Sequence, residues 1–81
     1  MVFIETPIFT ADVRVLLSDE EYSRLQEHLV RQPVAGDVIS GTGGLRKVRW
    51  AVAGKGKRGG SRVINFHAAA QSQIRMLLIY R

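Results

Sequence analysis

The sequence lacks cysteine altogether, and it has no acidic residue after Asp37. Without cysteine the chain can form no disulfide, no thiolate nucleophile and no zinc site of the usual cysteine-rich kind. Without acids, the second half of the chain offers no pair of carboxylates for acid–base catalysis and no carboxylate ligands for magnesium. We therefore expect a protein that uses neither a metal nor a cofactor.

Long hydrophobic runs are also missing. The longest is Met76–Tyr80, far short of the roughly 18 apolar residues that a membrane-spanning helix requires. Near the N-terminus, Glu5 interrupts the apolar residues before they extend far enough to form the core of a signal peptide. These absences predict a cytoplasmic protein with no membrane partner.

Positive charge is abundant, and it is concentrated in the second half of the chain. The net charge is +5, yet residues 1–37 carry seven acids and three arginines, whereas residues 38–81 carry nine lysines and arginines and no acid. A surface of one sign attracts polyanions, and nucleic acid is the usual polyanionic partner of a small basic domain. The charge pattern therefore predicts a nucleic-acid-binding surface. The alternative is a solvated basic surface that has no specific partner.

Local signals at the N-terminus predict a strand followed by a short helix. A chain of 81 residues supports a single hydrophobic core, so residues 1–81 are predicted to form one domain. The β-branched and aromatic segment Val2–Thr6 predicts a first strand, which Pro7 ends because proline cannot donate to a β-ladder. Thr10 is the expected cap of the helix that follows.

A stronger signal marks a second helix. Ser18–Glu21 reads as a capping box, in which the serine and glutamate side chains each bind the other residue's backbone N–H. Pro33 is expected to stop this helix near Arg31. Its predicted buried stripe consists of Tyr22, Leu25, Leu29 and Val30.

From Gly36 the period changes from that of a helix to two, the period of a β-strand. In one strand Val48, Trp50 and Val52 alternate with Lys47, Arg49 and Ala51. Further strands are predicted over Arg62–His67 and Gln73–Tyr80, joined by a turn at Ala69–Ser72, with the last strand central in the sheet. The predicted fold is α+β, with an N-terminal strand and a two-helix hairpin packed on a mostly antiparallel sheet.

The loop before Arg62 combines glycine with positive charge. Gly54–Gly59 matches the GxGxxG pattern of dinucleotide-binding loops, but a strand follows it instead of the helix that this motif requires. The loop cations are Lys55, Lys57 and Arg58, with Lys47 and Arg49 before them and Arg62 after them. We predict that these groups line a track of phosphates and that Arg49 and Arg62 face the same side of the sheet.

Acid–base groups are scarce in this region. His28 is expected on the surface of the second helix, and His67 lies at a strand end, where it is either a polar turn residue or a base. The chemistry that remains is charge stabilisation by arginine and lysine, acting on an RNA phosphate that is attacked by its own 2′-hydroxyl. That reaction needs no metal.

Four segments follow one another along nearly the whole chain: Phe3–Phe9, Leu17–Tyr22, Gly36–Lys47 and Gly54–Ile64. In sequence and order they resemble the HigB-like branch of the RelE superfamily of type II toxins. The resemblance implies a RelE-like fold and a ribosome-dependent endoribonuclease that cleaves mRNA in the ribosomal A site and so inhibits translation. It also implies a cognate antitoxin of the helix-turn-helix type that holds the toxin inactive.

The resemblance also assigns site residues. The catalytic residues that it implies are Lys47, Arg49, Lys57, Arg62 and Arg81, and we add Arg46, Lys55 and Arg58 as predicted RNA-binding residues. Asn65 departs from the family, which commonly has an aromatic residue there, and the chain stops at Arg81 without the family's C-terminal extension. One alternative is therefore a non-catalytic remnant that binds RNA or antitoxin. Another is a relationship to the gyrase-poisoning ParE proteins of the same fold.

Overall fold

The computed structural model describes residues 1–51 and 60–81. In that part of the chain the elements are β1 (Val2–Glu5), α1 (Pro7–Leu16), α2 (Asp19–Arg31), β2 (Asp37–Val38), β3 (Arg46–Trp50), β4 (Ser61–Ala68), a 3-10 turn (Ala69–Gln71) and β5 (Gln73–Tyr80). The predictions for Val52, Lys55, Lys57 and Arg58 lie outside the described residues. The predicted α+β class is confirmed. No helix in the described ranges is long and apolar enough to cross a membrane.

The five strands form one sheet in the order β1-β5-β4-β3-β2. β1 runs parallel to β5, and the other neighbouring pairs are antiparallel, so the prediction of a mostly antiparallel sheet is confirmed. β5, predicted to be central, is an inner strand, but the centre of the sheet is β4. No sequence signal marks β2, because a strand of two residues is too short to show an alternating pattern.

α1 begins at Pro7, earlier than a cap at Thr10 would place it. The N-cap is Thr6, whose hydroxyl accepts a hydrogen bond of 3.1 Å from the backbone N–H of Phe9. Pro7 suits the first helical position because its φ is already helical and its missing N–H would have no partner there. The prediction that Thr10 caps this helix is therefore wrong, and the Thr10 hydroxyl instead donates to Glu5 Oε1 at 2.6 Å.

α2 begins and ends as predicted. Ser18 Oγ accepts from the backbone N–H of Glu21 at 3.1 Å, and Glu21 Oε1 accepts from the backbone N–H of Ser18 at 2.7 Å. These two bonds confirm the capping box. The last helical residue is Arg31, shortly before Pro33.

The hairpin of α1 and α2 packs on one face of the sheet, and the core lies between them. Its buried members are Phe9, Val13, Leu17, Leu25 and Leu29 from the hairpin segment and Val48, Val63, Ile74, Met76 and Ile79 from the sheet. Of the predicted α2 stripe, Val30 is the exception, because it is 49% exposed. It follows Leu29 by one residue, so its side chain is turned by about 100° away from the sheet.

A group of hydrogen bonds joins β1 to both helices. The Tyr22 hydroxyl donates to Glu5 Oε2 at 2.6 Å, while the Thr10 hydroxyl occupies Glu5 Oε1. The three side chains line a cavity of about 210 Å³. Burial, and then the hydrogen bond to Glu5, raise the pKa of Tyr22 above its usual range. Because both Glu5 oxygens accept internal hydrogen bonds, this carboxylate anchors the fold and is poorly placed to act as a base.

Replacing Tyr22 by phenylalanine is expected to lower the free energy of unfolding by about 1–2 kcal/mol at neutral pH, because a hydrogen bond to a carboxylate is removed. The parental protein should also lose stability as the pH rises above about 10, where the unfolded tyrosine ionises while the folded one still holds its proton. The variant should show less of this alkaline loss. Thermal melting between neutral pH and about pH 11 measures both effects.

Tyr80→Phe is the matched control, because it removes a tyrosine hydroxyl from an exposed position. We expect it to melt like the parental protein across the same pH range. An alkaline loss of equal size in Tyr22→Phe and the parental protein would contradict the role given to Tyr22.

Candidate nucleic-acid interface

The open face of the sheet is the surface opposite the helical hairpin. On β3 it carries Lys47 and Arg49, because Val48 between them points into the core and is only 4% exposed. The predicted separation of cations from apolar residues along this strand is therefore correct. From the other strands the open face carries Arg62, Ile64 and Phe66 of β4, Gln73, Arg75, Leu78 and Tyr80 of β5, and Val2 and Ile4 of β1.

Three side chains form a row across the open face. Arg49 of β3 lies opposite Arg62 of β4, and Arg62 lies opposite Tyr80 of β5. Residues paired in this way point to the same face, with Cβ atoms about 4.5–5.5 Å apart. The prediction that Arg49 and Arg62 share one side of the sheet is confirmed. We call these three residues the Arg49–Arg62–Tyr80 row.

The two arginines of this row have no anionic partner among residues 1–51 and 60–81. The ion pair found in those ranges joins Arg24 to Glu20 on α2, and neither the Arg49 nor the Arg62 guanidinium makes a hydrogen bond there. Like charges directly opposite each other destabilise a sheet, so a bound anion would relieve this repulsion. Neighbouring guanidinium groups suit phosphate in particular, because each can donate two parallel N–H bonds to its oxygens.

Lys47 adds a third positive charge on the same face. It lies opposite Ile64, which lies opposite Leu78, so these residues form a second row beside the first. On its other side Lys47 is paired with Asp37 of β2, although the described residues show no ion pair between the two. Asp37 therefore marks the border of the cationic surface, on the side away from β4.

The other two described arginines of the predicted site lie in different places. Arg81 is exposed and directly follows Tyr80, which brings it to the end of the sheet where Arg62 lies. Arg46 shares the alternation of Val48, so it lies on the face that carries the hairpin. Its Nη1 donates to the backbone carbonyls of Val34 at 3.0 Å and Gly36 at 3.4 Å. Arg46 thus stabilises the connection after α2 and does not lie in the row.

Farther along the open face, Phe66 and Arg75 form a pair that sequence reasoning missed. The guanidinium carbon of Arg75 lies 5.9 Å from the centroid of the Phe66 ring. Gly44, with φ of +116°, approaches the same ring so closely that a Cβ there would lie 3.3 Å from Phe66 Cε1. This ring therefore already has Arg75 and Gly44 as close neighbours. Arg75 alternates with the apolar residues Ile74 and Met76, and this alternation predicts that Arg75 lies on the face away from the core.

Neither histidine reaches the two arginines. His28 is partly buried on α2, where its ring lies 5.4 Å from that of Trp50, so the expectation of a surface residue needs correction. His67 lies inside β4 opposite the buried Ile74, hence on the core side of the sheet. β4 continues to Ala68, so His67 is the last residue but one of the strand and precedes the turn.

No protein-family model matches the sequence. In the described ranges, no group of three or more histidine, aspartate or glutamate residues is arranged to hold a metal ion. The chemistry that this surface offers is the binding of a phosphate and the stabilisation of negative charge on it, by Arg49, Arg62 and Lys47.

Proposed function

We propose that the protein binds RNA on the open face and cleaves mRNA in the A site of translating ribosomes, as the resemblance to HigB-like toxins of the RelE superfamily suggests. The observation that carries the proposal is the pair Arg49 and Arg62, opposite each other on the open face and without an anionic partner in the described ranges. In this proposal the protein acts in the cytoplasm as the toxin of a type II toxin–antitoxin system. A cognate antitoxin would hold it inactive.

The proposed reaction is attack of an RNA 2′-hydroxyl on the adjacent phosphate. The 2′-hydroxyl gives up its proton as the 2′-oxygen–phosphorus bond forms, and the leaving 5′-oxygen takes up a proton as its bond to phosphorus breaks, which leaves a 2′,3′-cyclic phosphate and a 5′-hydroxyl. Negative charge grows on the phosphate oxygens during this step. Arg49 and Arg62 would donate hydrogen bonds to those oxygens, and Lys47 would contribute a nearby point charge.

The ribosome enters this proposal because alignment of the substrate must come from outside the described site. Efficient attack requires the 2′-oxygen to lie in line with the leaving 5′-oxygen. The side chains next to the row, Lys47, Ile64 and Leu78, offer no carboxylate or imidazole as a general base, and the carboxylate of Asp37 lies beyond Lys47 at the border of the surface. A pre-organised RNA conformation on the ribosome would supply the alignment, and the proton of the 2′-hydroxyl would be accepted by a group outside these side chains.

The lack of a general base next to the row favours one alternative, a non-catalytic protein that binds RNA or antitoxin through the open face. Charge neutralisation is sufficient for binding, whereas cleavage also requires alignment and proton transfer. The two proposals agree on the binding surface and differ on whether RNA is cut.

Incubation of the purified protein with a defined mRNA, with and without translating ribosomes, tests the proposed function. We expect new RNA ends only in the reaction that contains ribosomes. Equal cutting of free RNA would contradict action in the A site. Intact mRNA in both reactions, together with RNA binding, would contradict cleavage and support the binding protein.

A further inference from the structure

Tyr80 completes the row that begins with the two arginines. It lies on β5 opposite Arg62, and it is 41% exposed. The distance between neighbouring strands is about 4.8 Å, so the row from β3 to β5 spans about 10 Å of the open face. A nucleotide has comparable dimensions, with a charged phosphate at one end and a flat base at the other.

The Tyr80 ring differs from the other aromatic rings in residues 1–51 and 60–81, among which Phe3 packs against the core. Phe66 has Arg75 and Gly44 as close neighbours, Trp50 contacts His28, and Tyr22 contacts Phe9 at a centroid distance of 5.8 Å. Tyr80 makes no contact with a ring or a cation among the described residues. An exposed aromatic ring without such a neighbour, beside two unneutralised arginines, suits a flat ligand that carries negative charge.

We propose that Tyr80 stacks on an unpaired base while Arg49 and Arg62 hold the phosphate of the same RNA segment. This inference rests on RNA binding by the open face, as proposed above, and it narrows the ligand to single-stranded RNA. Aromatic side chains bind single strands in this way because every base presents a flat face, whereas bases in a duplex are already stacked on one another. Tyr80 is thus a specificity residue for unpaired RNA.

Leu78 offers a matched control for this inference. It lies two residues before Tyr80 on β5, faces the same side and is 42% exposed, but it has no aromatic ring. Truncation of Leu78 removes a comparable exposed apolar side chain from the neighbouring row, where it lies opposite Ile64. A difference between the two positions therefore reports stacking and not apolar area.

The experiment measures binding of a short fluorescent RNA, as a single strand and as a duplex of the same sequence, to the parental protein and three variants. The variants are Tyr80→Ala, Tyr80→Phe and Leu78→Ala. We expect the parental protein to prefer the single strand and Tyr80→Ala to bind it about 5- to 150-fold more weakly, the usual cost of removing one stacking partner. Tyr80→Phe and Leu78→Ala should stay within about threefold of the parental protein, because the ring or its position is unchanged. Duplex binding should be the same in all four proteins.

Thermal melting of each protein accompanies the binding measurements, so that a loss caused by unfolding is recognised. Parental affinity for the single strand in a folded Tyr80→Ala would overturn the stacking role while leaving RNA binding by the arginines intact. Equal losses in Tyr80→Phe and Tyr80→Ala would also overturn it, because the hydroxyl would then be the important group. A parental protein that binds neither RNA would overturn both this inference and the proposed function.

Discussion

Replacing Arg62 by alanine is expected to slow mRNA cleavage on ribosomes by about two to three orders of magnitude, the usual cost of removing one donor to transition-state charge. Ribosome binding should change much less, because Arg49 and Lys47 remain on the same face. The fold should be retained, and stability should rise slightly, because the repulsion between two opposed arginines is removed. Single-turnover cleavage rates and melting temperatures test these expectations together.

Two further variants sharpen this test. Arg62→Lys keeps the charge but loses the planar donor pair, so its cleavage rate should fall between those of the parental protein and Arg62→Ala. Arg14→Ala makes the same charge change at an exposed position on α1 and should cleave at the parental rate. Parental activity in Arg62→Ala, or a loss explained by unfolding, would contradict a catalytic role for Arg62.

Replacing Asn65 by valine is expected to stabilise the protein, which is the opposite of what most core substitutions do. Asn65 is fully buried, opposite Arg46 and Met76 in the neighbouring strands. Neither its amide nitrogen nor its amide oxygen has a hydrogen-bond partner among residues 1–51 and 60–81. An unsatisfied buried polar group costs about 1–3 kcal/mol, and a β-branched side chain suits an inner strand.

The free energy of unfolding should therefore rise by about 1–3 kcal/mol in Asn65→Val, with an increase in melting temperature of about 4–8 °C for each kcal/mol. Asn65→Asp is the control: it has nearly the same shape but buries a charge, so it should melt below the parental protein. A valine variant that melts at or below the parental temperature would show that the amide is satisfied in solution.

The parts of the fold that depend on neighbours in sequence are the parts that sequence reasoning predicts. The α2 start follows from Ser18 and Glu21, which are three residues apart and bind each other's backbone. The start of α1 is harder to predict, because Thr6 and Thr10 are both acceptable N-cap residues. Pro7 decides between them, and its preference for the first helical turn is a signal that sequence reasoning could have used.

In the candidate site, too, only the features that depend on neighbours in sequence can be predicted. Strand alternation is enough to place Lys47 and Arg49 on one face, since Val48 between them is apolar. The pairing of Arg62 with Tyr80 cannot be read in this way, because it depends on the register between β4 and β5. That register shifts where Ile64 pairs with Leu78 and Asn65 with Met76. A shift of one residue moves a side chain to the other face, and only contacts between distant segments fix it.

The surroundings of single polar residues also cannot be predicted from their neighbours in sequence. Asn65 and Arg46 are polar residues in strands that are otherwise apolar or cationic. From the sequence alone, their side chains are expected to contact solvent or a ligand. Their surroundings come from strand pairing and from the carbonyl groups of Val34 and Gly36 after α2. Arg46 is therefore predicted as an RNA-binding residue but found in an internal hydrogen-bonding role.

The central claim is that the open face, and not the positive charge of the chain as a whole, binds RNA phosphates. Its most direct test is the salt dependence of single-stranded RNA binding by the parental protein, by Arg49→Gln/Arg62→Gln and by Arg14→Gln/Arg31→Gln. The two double variants remove the same charge, the first from the open face and the second from exposed positions on the helices. We predict that the log–log slope becomes shallower by about 0.7 to 1.4 in the first variant, about 0.7 for each phosphate that is no longer neutralised, and stays at the parental value in the second. An unchanged slope in the open-face variant, or an equal change in both, would contradict the claim.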